Sequence, residues 1–492
     1  MVNRTDKTKI PHGKSQLSKN TPVDRSAQKI YLITVVSMFL IACLIASIYP
    51  RFIVDDFWIL CRYADNFRTS GHLVYNMGEY LEGCTGILLL FLLIISPLKY
   101  ILTVHLLTVI SFIIGGITLK LLVEQRPQKF LILGMYLFAP IIYTHIFSGL
   151  ETILFTTLTL LGFYFYIKKN NHGLLITAVL ISLCRPEGIL FAVVLLFDNK
   201  KLRIKYLAIL LVYLAVKYYY YGDLFPGSYY RKDMNIEKNL LSNWIQFRGF
   251  LLFYFPFVLI FYSKLKQHLR FVIFCLVLWG YYLVSNLETN FSYRFFFHCY
   301  PLLLAVVGVT AQKINKKLLI GLFVIQGVLF TFSFIREFSY VKEHVKMNSY
   351  VEKTGILLRD NYSPSLKLAV YYDAGLIPYL SKMNTLDLSG LLSKDIAQFE
   401  HYNKGNVSEI FTYKINRLLM YEPSIFVITS YYRDSVLKRD AFTNVLKQYY
   451  SWNDYKLVGI IGDTTKEGYT TDDGISQINF GGYYEYVFVR HH

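Results

Sequence analysis

The feature that most constrains this chain is a series of apolar stretches, many close to 20 residues long, that recurs from Ile30 to about Phe334. Stretches of this length match the thickness of a bilayer's hydrocarbon core when they form an α-helix. The composition agrees, because 54% of the 492 residues are hydrophobic and only 17% are charged, against about 25% charged residues in soluble domains. We therefore expect an α-helical polytopic membrane protein.

The net charge is strongly positive, at +18, which is also common among proteins that bind nucleic acid. In this chain, however, Lys and Arg lie in small clusters between the apolar stretches, the distribution typical of cytoplasmic loops. Residues 1–29 contain seven Lys or Arg and two Asp, in the polar composition of a disordered segment. The pattern therefore predicts a basic, cytoplasmic N-terminal tail and no nucleic-acid partner.

The basic clusters also predict the topology. With the tail inside, residues 30–50 form a retained first span, because they lack a small-residue cleavage site, and residues 51–99 form an external loop. Residues 86–98 are apolar but reach only roughly 20 Å as a helix, so we expect an interfacial helix there. The later basic clusters then all fall on the cytoplasmic side.

About eleven spans result, and this odd number places the C-terminal region on the extracytoplasmic side of the membrane. One short polar segment, Arg-Pro-Glu-Gly at 185–188, separates two half-spans at the outer surface, because its charges would be costly in mid-bilayer. The predicted spans are 30–50, 100–122, 130–147, 151–167, 173–184, 188–198, 203–221, 249–263, 271–287, 299–312 and 318–335.

The region 336–492 has a different pattern, with short alternating apolar runs separated by turns. It predicts strands at 366–372, 424–430, 455–461 and 483–490, and a short helix follows the Asp-Ala-Gly turn at 373–375. We expect a C-terminal extracytoplasmic α/β domain beside a transmembrane module at 30–335. The sequence shows no zinc, P-loop or dinucleotide fingerprint.

Two of the six cysteines, Cys61 and Cys84, share the predicted first external loop, where a disulfide between them is chemically possible. The other four fall in or beside predicted spans, where cysteine is usually a small core residue. A disulfide and a pair of free thiols remain the alternatives for the two loop cysteines.

Carboxylates gather in the predicted external segments. Asp55 and Asp56 follow the first span, Glu82 lies late in the same loop, and Ser-Gly-Leu-Glu at 148–151 joins two spans. Adjacent carboxylates repel each other, so one of them readily takes a raised pKa or binds a cation. The alternatives are a solvated loop start for the aspartates and a favourable helix N-terminus for Glu151.

Cations occupy the same predicted face of the membrane. Arg185 lies in the segment 185–188, a basic pair ends the segment 222–232, and Arg294 follows Tyr293 at the mouth of a span. Basic residues outside run against the usual charge bias, so they indicate an anionic partner, either a lipid headgroup or a bound phosphate. For Arg185 and Glu187 the alternative is mutual neutralisation. A carboxylate that handles a proton beside cations that hold a phosphate suits a transfer reaction.

These motifs resemble, in order along nearly the whole chain, those of the GT-C superfamily of multispanning glycosyltransferases. The nearest resemblance is to bacterial arabinofuranosyltransferase-like and mannosyltransferase-like members that use polyprenyl-phosphate sugars. Two departures are Cys84, where the family usually has an aromatic residue, and Gly227, where it usually has Asn. The matching segments are Asp-Asp at 55–56, Arg-Tyr-Ala at 62–64, Gly-His-Leu-Val-Tyr-Asn at 71–76, Glu-Gly-Cys-Thr at 82–85, Ser-Gly-Leu-Glu at 148–151, Arg-Pro-Glu-Gly at 185–188, Tyr-Arg-Phe at 293–295, and parts of 224–232 and 372–390.

The resemblance implies transfer of a hexose or pentose from a polyprenyl-phosphate donor to a cell-envelope glycan or lipid, on the outer face of a bacterial inner membrane. It implies Asp55 as the general base and Asp56 as its helper, with direct displacement and inversion. A divalent cation (Mg, Mn or Ca) is a possible cofactor, with Asp56 and Glu151 as candidate ligands. The residues expected to bind the donor phosphate or the substrate are Arg62, Glu82, Glu151, Arg185, Glu187, Tyr230, Lys232 and Arg294.

Two other classes remain open. A transporter or flippase of a lipid-linked envelope precursor predicts charged or Gly/Pro-broken positions near mid-membrane in paired halves; only residues 185–188 qualify, and no second half mirrors them. A non-catalytic envelope-assembly protein predicts that Asp55 tolerates replacement by Asn.

Overall fold

The computed structural model describes residues 52–126, 128–231, 236–254, 267–287, 290–310, 316–403, 406–430, 454–462 and 483–490. The chain divides into two units, 1–45 and 46–492, and every described residue belongs to the second. The predicted tail at 1–29 and the first span at 30–50 lie outside the described residues.

Helices form most of the described chain as far as residue 361. Their apolar sequences contain few long runs of β-branched residues, which would favour strands over helices. Gly or Pro occurs at most of the breaks between the helices. In chain order they are α1 Asp55–Ser70, α2 Ile87–Ile95, α3 Tyr100–Val123, α4 Lys129–Leu137, α5 Pro140–Phe147, α6 Thr152–Ile167, α7 Asn171–Cys184, α8 Glu187–Leu195, α9 Lys200–Tyr221, α10 Gly227–Arg231, α11 Ile236–Tyr254, α12 Leu269–Val284, α13 Arg294–Phe297, α14 Tyr300–Thr310 and α15 Lys316–Asn361.

Two described helices are long and apolar enough to cross a membrane, Tyr100–Val123 and the segment Ile320–Asn361 of α15. Two bent pairs, α4 with α5 and the segment Phe291–Phe297 with α14, raise the number to four if each pair counts as one span. Helix α2 has nine residues, roughly 14 Å, which is too short to cross. The count of eleven spans stays a prediction.

One predicted span begins in a different place. Residues 249–263 were expected to form it, but α11 begins at Ile236 and the described part ends at Tyr254. Leu240, Trp244 and Phe247 lie at helical spacing, which extends the helix toward its N-terminus beyond the purely apolar run.

The predicted domain boundary at 335/336 falls inside a helix. Helix α15 has 46 residues, roughly 70 Å, and continues through this position to Asn361. Its second half is less apolar, but Glu337, Val341, Val351 and Leu358 are buried on one face at helical spacing. The change in composition at 335 therefore marks a change of surroundings along one helix.

A five-stranded sheet follows α15, in the order β2-β1-β3-β5-β4. Strand β1 is parallel to β2 and β3, whereas β5 is antiparallel to β3 and β4. The four predicted strands are present, and β2 was missed because it has only four residues. The elements are β1 Lys367–Tyr371, α16 Leu376–Ser381, β2 Asn384–Asp387, α17 Lys394–Tyr402, α18 Val407–Tyr421, β3 Ile425–Ser430, β4 Tyr455–Gly462 and β5 Tyr484–Arg490.

One hydrophobic core joins the helical part to the sheet. Phe57 and Leu60 of α1 and Leu90 of α2 belong to the same buried cluster as Val370 of β1 and Val427 of β3. The other face of the sheet packs against α18. Since this core fixes α1 against the sheet, the first turn of α1 lies near the carboxyl ends of β1 and β3.

Candidate active site

The first turn of α1 is held from two sides. The Val54 N–H donates to the Ser148 carbonyl at 3.0 Å, and the side-chain amide of Asn348, on α15, donates to the Ile53 carbonyl at 2.6 Å. These bonds bring the two aspartates that begin α1 beside the segment 148–151. Consecutive residues on a helix point about 100° apart, so the two carboxylates face different surroundings.

Asp55, the predicted general base, faces the α/β region. Its Oδ2 accepts from the Gly375 N–H at 2.7 Å and its Oδ1 from the Leu376 N–H at 2.8 Å. Position 375 requires glycine, because a Cβ there would lie 2.1 Å from the Asp55 carbonyl oxygen. Burial and the nearby Asp373 raise the pKa of Asp55 well above its usual range. Both of its oxygens are therefore occupied in a contact between α1 and the sheet.

Asp55 belongs to a cluster of carboxylates at the carboxyl ends of β1 and β3, in which Glu485 is fully buried. Thr429 and Glu485 are register partners on β3 and β5, and the Thr429 hydroxyl lies 2.8 Å from Asp373 and 3.2 Å from Glu485. The Tyr483 hydroxyl also donates to Asp373. Burial, followed by the charge of Asp373, raises the pKa of Glu485 well above its usual range.

Asp56 instead lines a cavity of about 80 Å³, room for several water molecules or a phosphate-sized group. Burial raises the pKa of Asp56, while the charges of Arg294 and Arg231 oppose the rise. This carboxylate can therefore hold a proton at a higher pH than an exposed aspartate. The cavity is lined by Asp56, Ile59, Leu60, Gly83, Cys84, Thr85, Gly86, Leu150, Glu151, Ser228, Arg294 and Leu391.

A buried ion network includes two of the residues that line the cavity, Glu151 and Arg294. Glu151 contacts both Arg185 and Arg294, the latter at 3.2 Å. Arg185 also lies 3.3 Å from Glu187, which accepts from the Tyr282 hydroxyl at 3.0 Å. Glu151 precedes α6 but makes no side-chain capping bond, so its two arginines account for its position better than a helix terminus does.

Two arginine donors in this network lack acceptors. Within the described part of the chain, the buried Nε–H groups of Arg185 and Arg294 have no hydrogen-bond partner. A buried, unpaired charged donor is costly. Arg294 is only 6% exposed and lines the cavity, so an anion placed there would lie beside its charge.

Glu82 forms a second buried pair beside the cavity. It lies 2.6 Å from Lys217 of α9, which is 11% exposed, and burial raises the pKa of Glu82. The Glu82 carbonyl accepts from the Gly227 N–H at 3.0 Å, joining the loop 82–86 to α10. Lys217 was not predicted, although a lone lysine inside a predicted span indicates a buried partner.

Tyr230 lies beside the site rather than in its described lining. Its hydroxyl donates to Asp223 at 3.0 Å, and Asp223 forms an ion pair with Lys394 at 2.9 Å. These bonds attach α10 to α17. Tyr230 therefore stabilises the segment that brings Ser228 to the cavity.

Among the described residues of this segment, the cation is Arg231. It is half-buried, donates to the Ser389 hydroxyl at 3.1 Å, and lies close enough to Asp56 to lower its pKa. The predicted phosphate-binding residue, Lys232, lies outside the described residues. The predicted segment therefore contributes a cation near Asp56, but Arg231 was not among the predicted site residues.

Arg62, predicted to bind the donor, is fully engaged elsewhere. It is 6% exposed and donates to the carbonyls of Tyr75 at 2.8 Å, Pro378 at 2.7 Å and Met383 at 2.6 Å, and to the Asn76 side chain at 3.0 Å. Its guanidinium also lies over the Tyr75 ring. Arg62 thus links α1 to the loop after it and to the α/β region.

The sequence also suggested a cation site at Asp56 and Glu151 and left open a disulfide between Cys61 and Cys84. No group of three or more His, Cys, Asp or Glu suited to a metal occurs in the described ranges; Asp56 and Glu151 line one cavity, and a cation there stays a prediction. Cys61 and Cys84 are both buried and free. The disulfide alternative is therefore wrong, because the two side chains are packed into the core as small apolar groups.

Comparisons with known proteins give limited further information. A family model described as a domain of unknown function, DUF8728, matches residues 338–479, less than a third of the chain. No curated protein sequence matches. The crystal structure of ArnT from Cupriavidus metallidurans in the apo state is similar over 84% of this chain and 94% of that one, with 12% sequence identity and a TM-score of 0.48. A likeness this remote carries no conclusion on its own.

Proposed function

We propose that this protein is an integral-membrane glycosyltransferase that moves a monosaccharide from a polyprenyl-phosphate donor to a glycan or glycolipid acceptor on the outer face of a bacterial inner membrane. The observation that carries the proposal is the cavity that Asp56, Glu151 and Arg294 line together, where a buried N–H of Arg294 has no acceptor among the residues that the structure describes. The ordered motifs of the sequence support the same reaction class.

Asp56 is the proposed general base. It has a carboxylate on the cavity and a raised pKa, which suits a group that accepts a proton from a hydroxyl. Asp55 is a weaker candidate, because Gly375 and Leu376 already donate to its two oxygens. Asp55 instead fixes the start of α1, and hence the direction of its neighbour.

The reaction is a single displacement. The acceptor hydroxyl oxygen forms a bond to the anomeric carbon as its proton passes to Asp56. The bond from that carbon to the phosphate oxygen breaks, and polyprenyl phosphate leaves with the electron pair. One displacement inverts the anomeric configuration, whereas retention would require a second, nucleophilic carboxylate; Glu151 does not suit that role, since two arginines hold it.

The leaving phosphate needs charge stabilisation more than it needs an acid. Arg294 and Arg231 flank Asp56 and are the proposed phosphate contacts. Arg185 contributes less directly, because Glu151 and Glu187 already neutralise it. Preorganised cations of this kind stabilise charge that develops in a transition state.

The test is made in the organism that carries the gene. The gene is deleted and restored as wild type, Asp56→Asn or Asp55→Asn, with equal membrane levels checked by blotting. Envelope glycans are then compared by linkage analysis and mass spectrometry. We expect the deletion to lose one sugar and Asp56→Asn not to restore it, since removing a general base slows transfer about 10²- to 10⁴-fold.

Asp55→Asn is the matched control, because an Asn oxygen still accepts one of the two backbone N–H bonds, and it should largely restore the sugar. Full restoration by Asp56→Asn would contradict the proposed base. A deletion that loses no sugar but accumulates a lipid-linked precursor on the inner face would favour the transporter alternative instead.

A further inference from the structure

The turn before Arg294 has an unusual backbone. Ser292 has φ 48° and ψ 40°, and Tyr293 has φ 53° and ψ 29°, so two consecutive non-glycine residues are left-handed. L-residues avoid this conformation because Cβ approaches the following carbonyl oxygen. Such a turn persists only where its surroundings hold it.

The side chain of Glu337, on α15, holds the first residue of the turn. Its Oε2 accepts from the Ser292 hydroxyl and, at 3.0 Å, from the hydroxyl of Thr144 on α5. Glu337 is 1% exposed, so these bonds are shielded from water. His145 Nε2 lies 3.2 Å from the Ser292 carbonyl oxygen, which gives the same residue a second contact.

The neighbouring residue, Arg336, holds the second residue of the turn. Its guanidinium lies 4.0 Å from the centre of the Tyr293 ring and donates to the Tyr293 hydroxyl. It also donates to Glu337 Oε1 at 2.7 Å. Two consecutive residues of α15 therefore hold two consecutive residues of the turn.

The turn determines where Arg294 points. The Arg294 N–H donates back to the Phe291 carbonyl, and its guanidinium reaches Glu151 at 3.2 Å and the cavity that Asp56 lines. If either left-handed residue relaxed to a right-handed or extended conformation, the chain would leave the turn in another direction. Arg294 would then no longer face Asp56.

We propose that Glu337 and Arg336 are positioning residues that hold Ser292 and Tyr293 left-handed and so aim Arg294 at an anion bound beside Asp56. The identity of that anion, a polyprenyl phosphate, rests on the function proposed above; the holding of the turn does not. Neither residue is among those that line the cavity, so both act through Arg294.

The first experiment needs no ligand. Hydrogen–deuterium exchange is measured by mass spectrometry on the purified full-length protein as wild type, Glu337→Ala and Glu352→Ala. Glu352 is an exposed glutamate of the same helix, so its replacement is the matched control. We expect peptides covering 290–298 to exchange about tenfold faster in Glu337→Ala alone, because the turn loses its holding bond. Unchanged exchange overturns the proposal.

The second experiment measures binding of undecaprenyl phosphate to the detergent-solubilised protein by native mass spectrometry. Glu337→Ala should bind about tenfold more weakly, whereas Glu337→Gln should stay close to wild type, since an amide oxygen still accepts from Ser292. Adding Ser292→Gly to Glu337→Ala should recover binding, because glycine adopts a positive φ without strain.

The glycine rescue separates positioning from packing. Weak binding that Ser292→Gly does not recover overturns the proposal, as does wild-type binding by Glu337→Ala. If Glu337→Ala does not fold, Arg336→Leu replaces it, because the Arg336 side chain is 41% exposed and tolerates truncation; the same two readouts apply. If the wild type binds no undecaprenyl phosphate while the exchange difference persists, the proposed function fails and the positioning role stands.

Discussion

Asp55 and Asp56 are adjacent in sequence, yet they begin two differently built regions. Around Asp55, which we call the junction, backbone N–H groups fill both carboxylate oxygens and further carboxylates lie close by. Around Asp56 there is an open cavity, and a buried N–H of Arg294, which lines it, finds no acceptor in the described part of the chain. A region that satisfies its own polar groups serves structure, whereas a region that leaves them unsatisfied is prepared for a ligand.

The arginines of the two regions differ in the same way. Arg62 at the junction uses its donors on carbonyl and amide oxygens of three chain segments. Arg294 at the cavity contacts Glu151, and its Nε–H is unpaired within the described ranges. The comparison predicts that replacing the first damages the fold and replacing the second damages binding.

The largest expected effect is that of Arg62→Ala. It removes four hydrogen bonds between the guanidinium and buried oxygens, each of which keeps one other donor. A hydrogen bond to a charged group contributes about 1.5–3 kcal/mol, so the free energy of unfolding should fall by roughly 3 kcal/mol or more. Unfolding can be followed with a thiol-reactive dye, because five cysteines in the described part of the chain are buried and free. We expect a markedly lower unfolding temperature.

Arg68→Ala is the control, because Arg68 also donates to backbone carbonyls, those of Leu93, Ile94 and Ser96, but is exposed. It should cost about 1 kcal/mol or less. Arg294→Ala should lower the unfolding temperature less than Arg62→Ala, because Arg185 still pairs with Glu151, while losing affinity for undecaprenyl phosphate. The comparison breaks if Arg62→Ala unfolds like wild type or Arg294→Ala unfolds as early as Arg62→Ala.

Much of the fold follows from local sequence. Apolar stretches predicted most helices, and alternation predicted four of the five strands. The continuation of α15 past residue 335 was missed, because average hydropathy drops there while the helical spacing of Val341, Val351 and Leu358 continues. Mean hydropathy indicates whether a helix is surrounded by lipid or by water and protein. The spacing of its apolar residues indicates whether the helix continues.

Sequence was less informative about the site. It selected Asp56, Glu151 and Arg294, which line one cavity, and it proposed Asp55 as the base. Which of two adjacent aspartates faces a cavity depends on the rotation of α1 against the sheet, and that rotation is set by contacts with residues some 320 positions away, at Gly375 and Leu376. No local pattern contains this information.

An intermediate effect is expected at the junction, on the pH dependence of unfolding. Burial and Asp373 raise the pKa of Glu485, so the folded state binds more protons than the unfolded state between the ordinary and the raised value. Stability therefore falls as pH rises through that window. Glu485→Gln should reduce this slope, to which Asp55 also contributes, and stabilise the protein at pH 8 by on the order of 1 kcal/mol. Intrinsic tryptophan fluorescence during heating, from pH 5 to pH 8, measures it.

Glu352→Gln serves as the control for this slope, because Glu352 is exposed and its replacement should leave the pH dependence of unfolding unchanged. If Glu485→Gln keeps the wild-type slope, Glu485 is not the group that takes up the proton. Asp55, whose pKa is also raised, would then be the group that takes up the proton.

The smallest effect tests the cavity itself. Transfer requires Asp56 without its proton, so kcat/KM should rise with pH through the pKa of Asp56, at a midpoint above that of an ordinary aspartate. Arg231 lowers this pKa; Arg231→Gln should therefore move the midpoint upward, by less than about one pH unit. Arg231→Lys keeps the charge and should leave the midpoint in place, whatever it does to the rate.

A matched control lies on the same side of the site. Lys394 pairs with Asp223 at 2.9 Å, so Lys394→Gln removes a nearby cation without touching Asp56 and should not move the midpoint. An equal shift in Lys394→Gln would mean that the midpoint reports the overall charge of this surface. A shift confined to Arg231→Gln would mean that the midpoint reports the pKa of Asp56. The pH profile of kcat/KM would then distinguish Asp56, which lines the cavity, from Asp55, which does not.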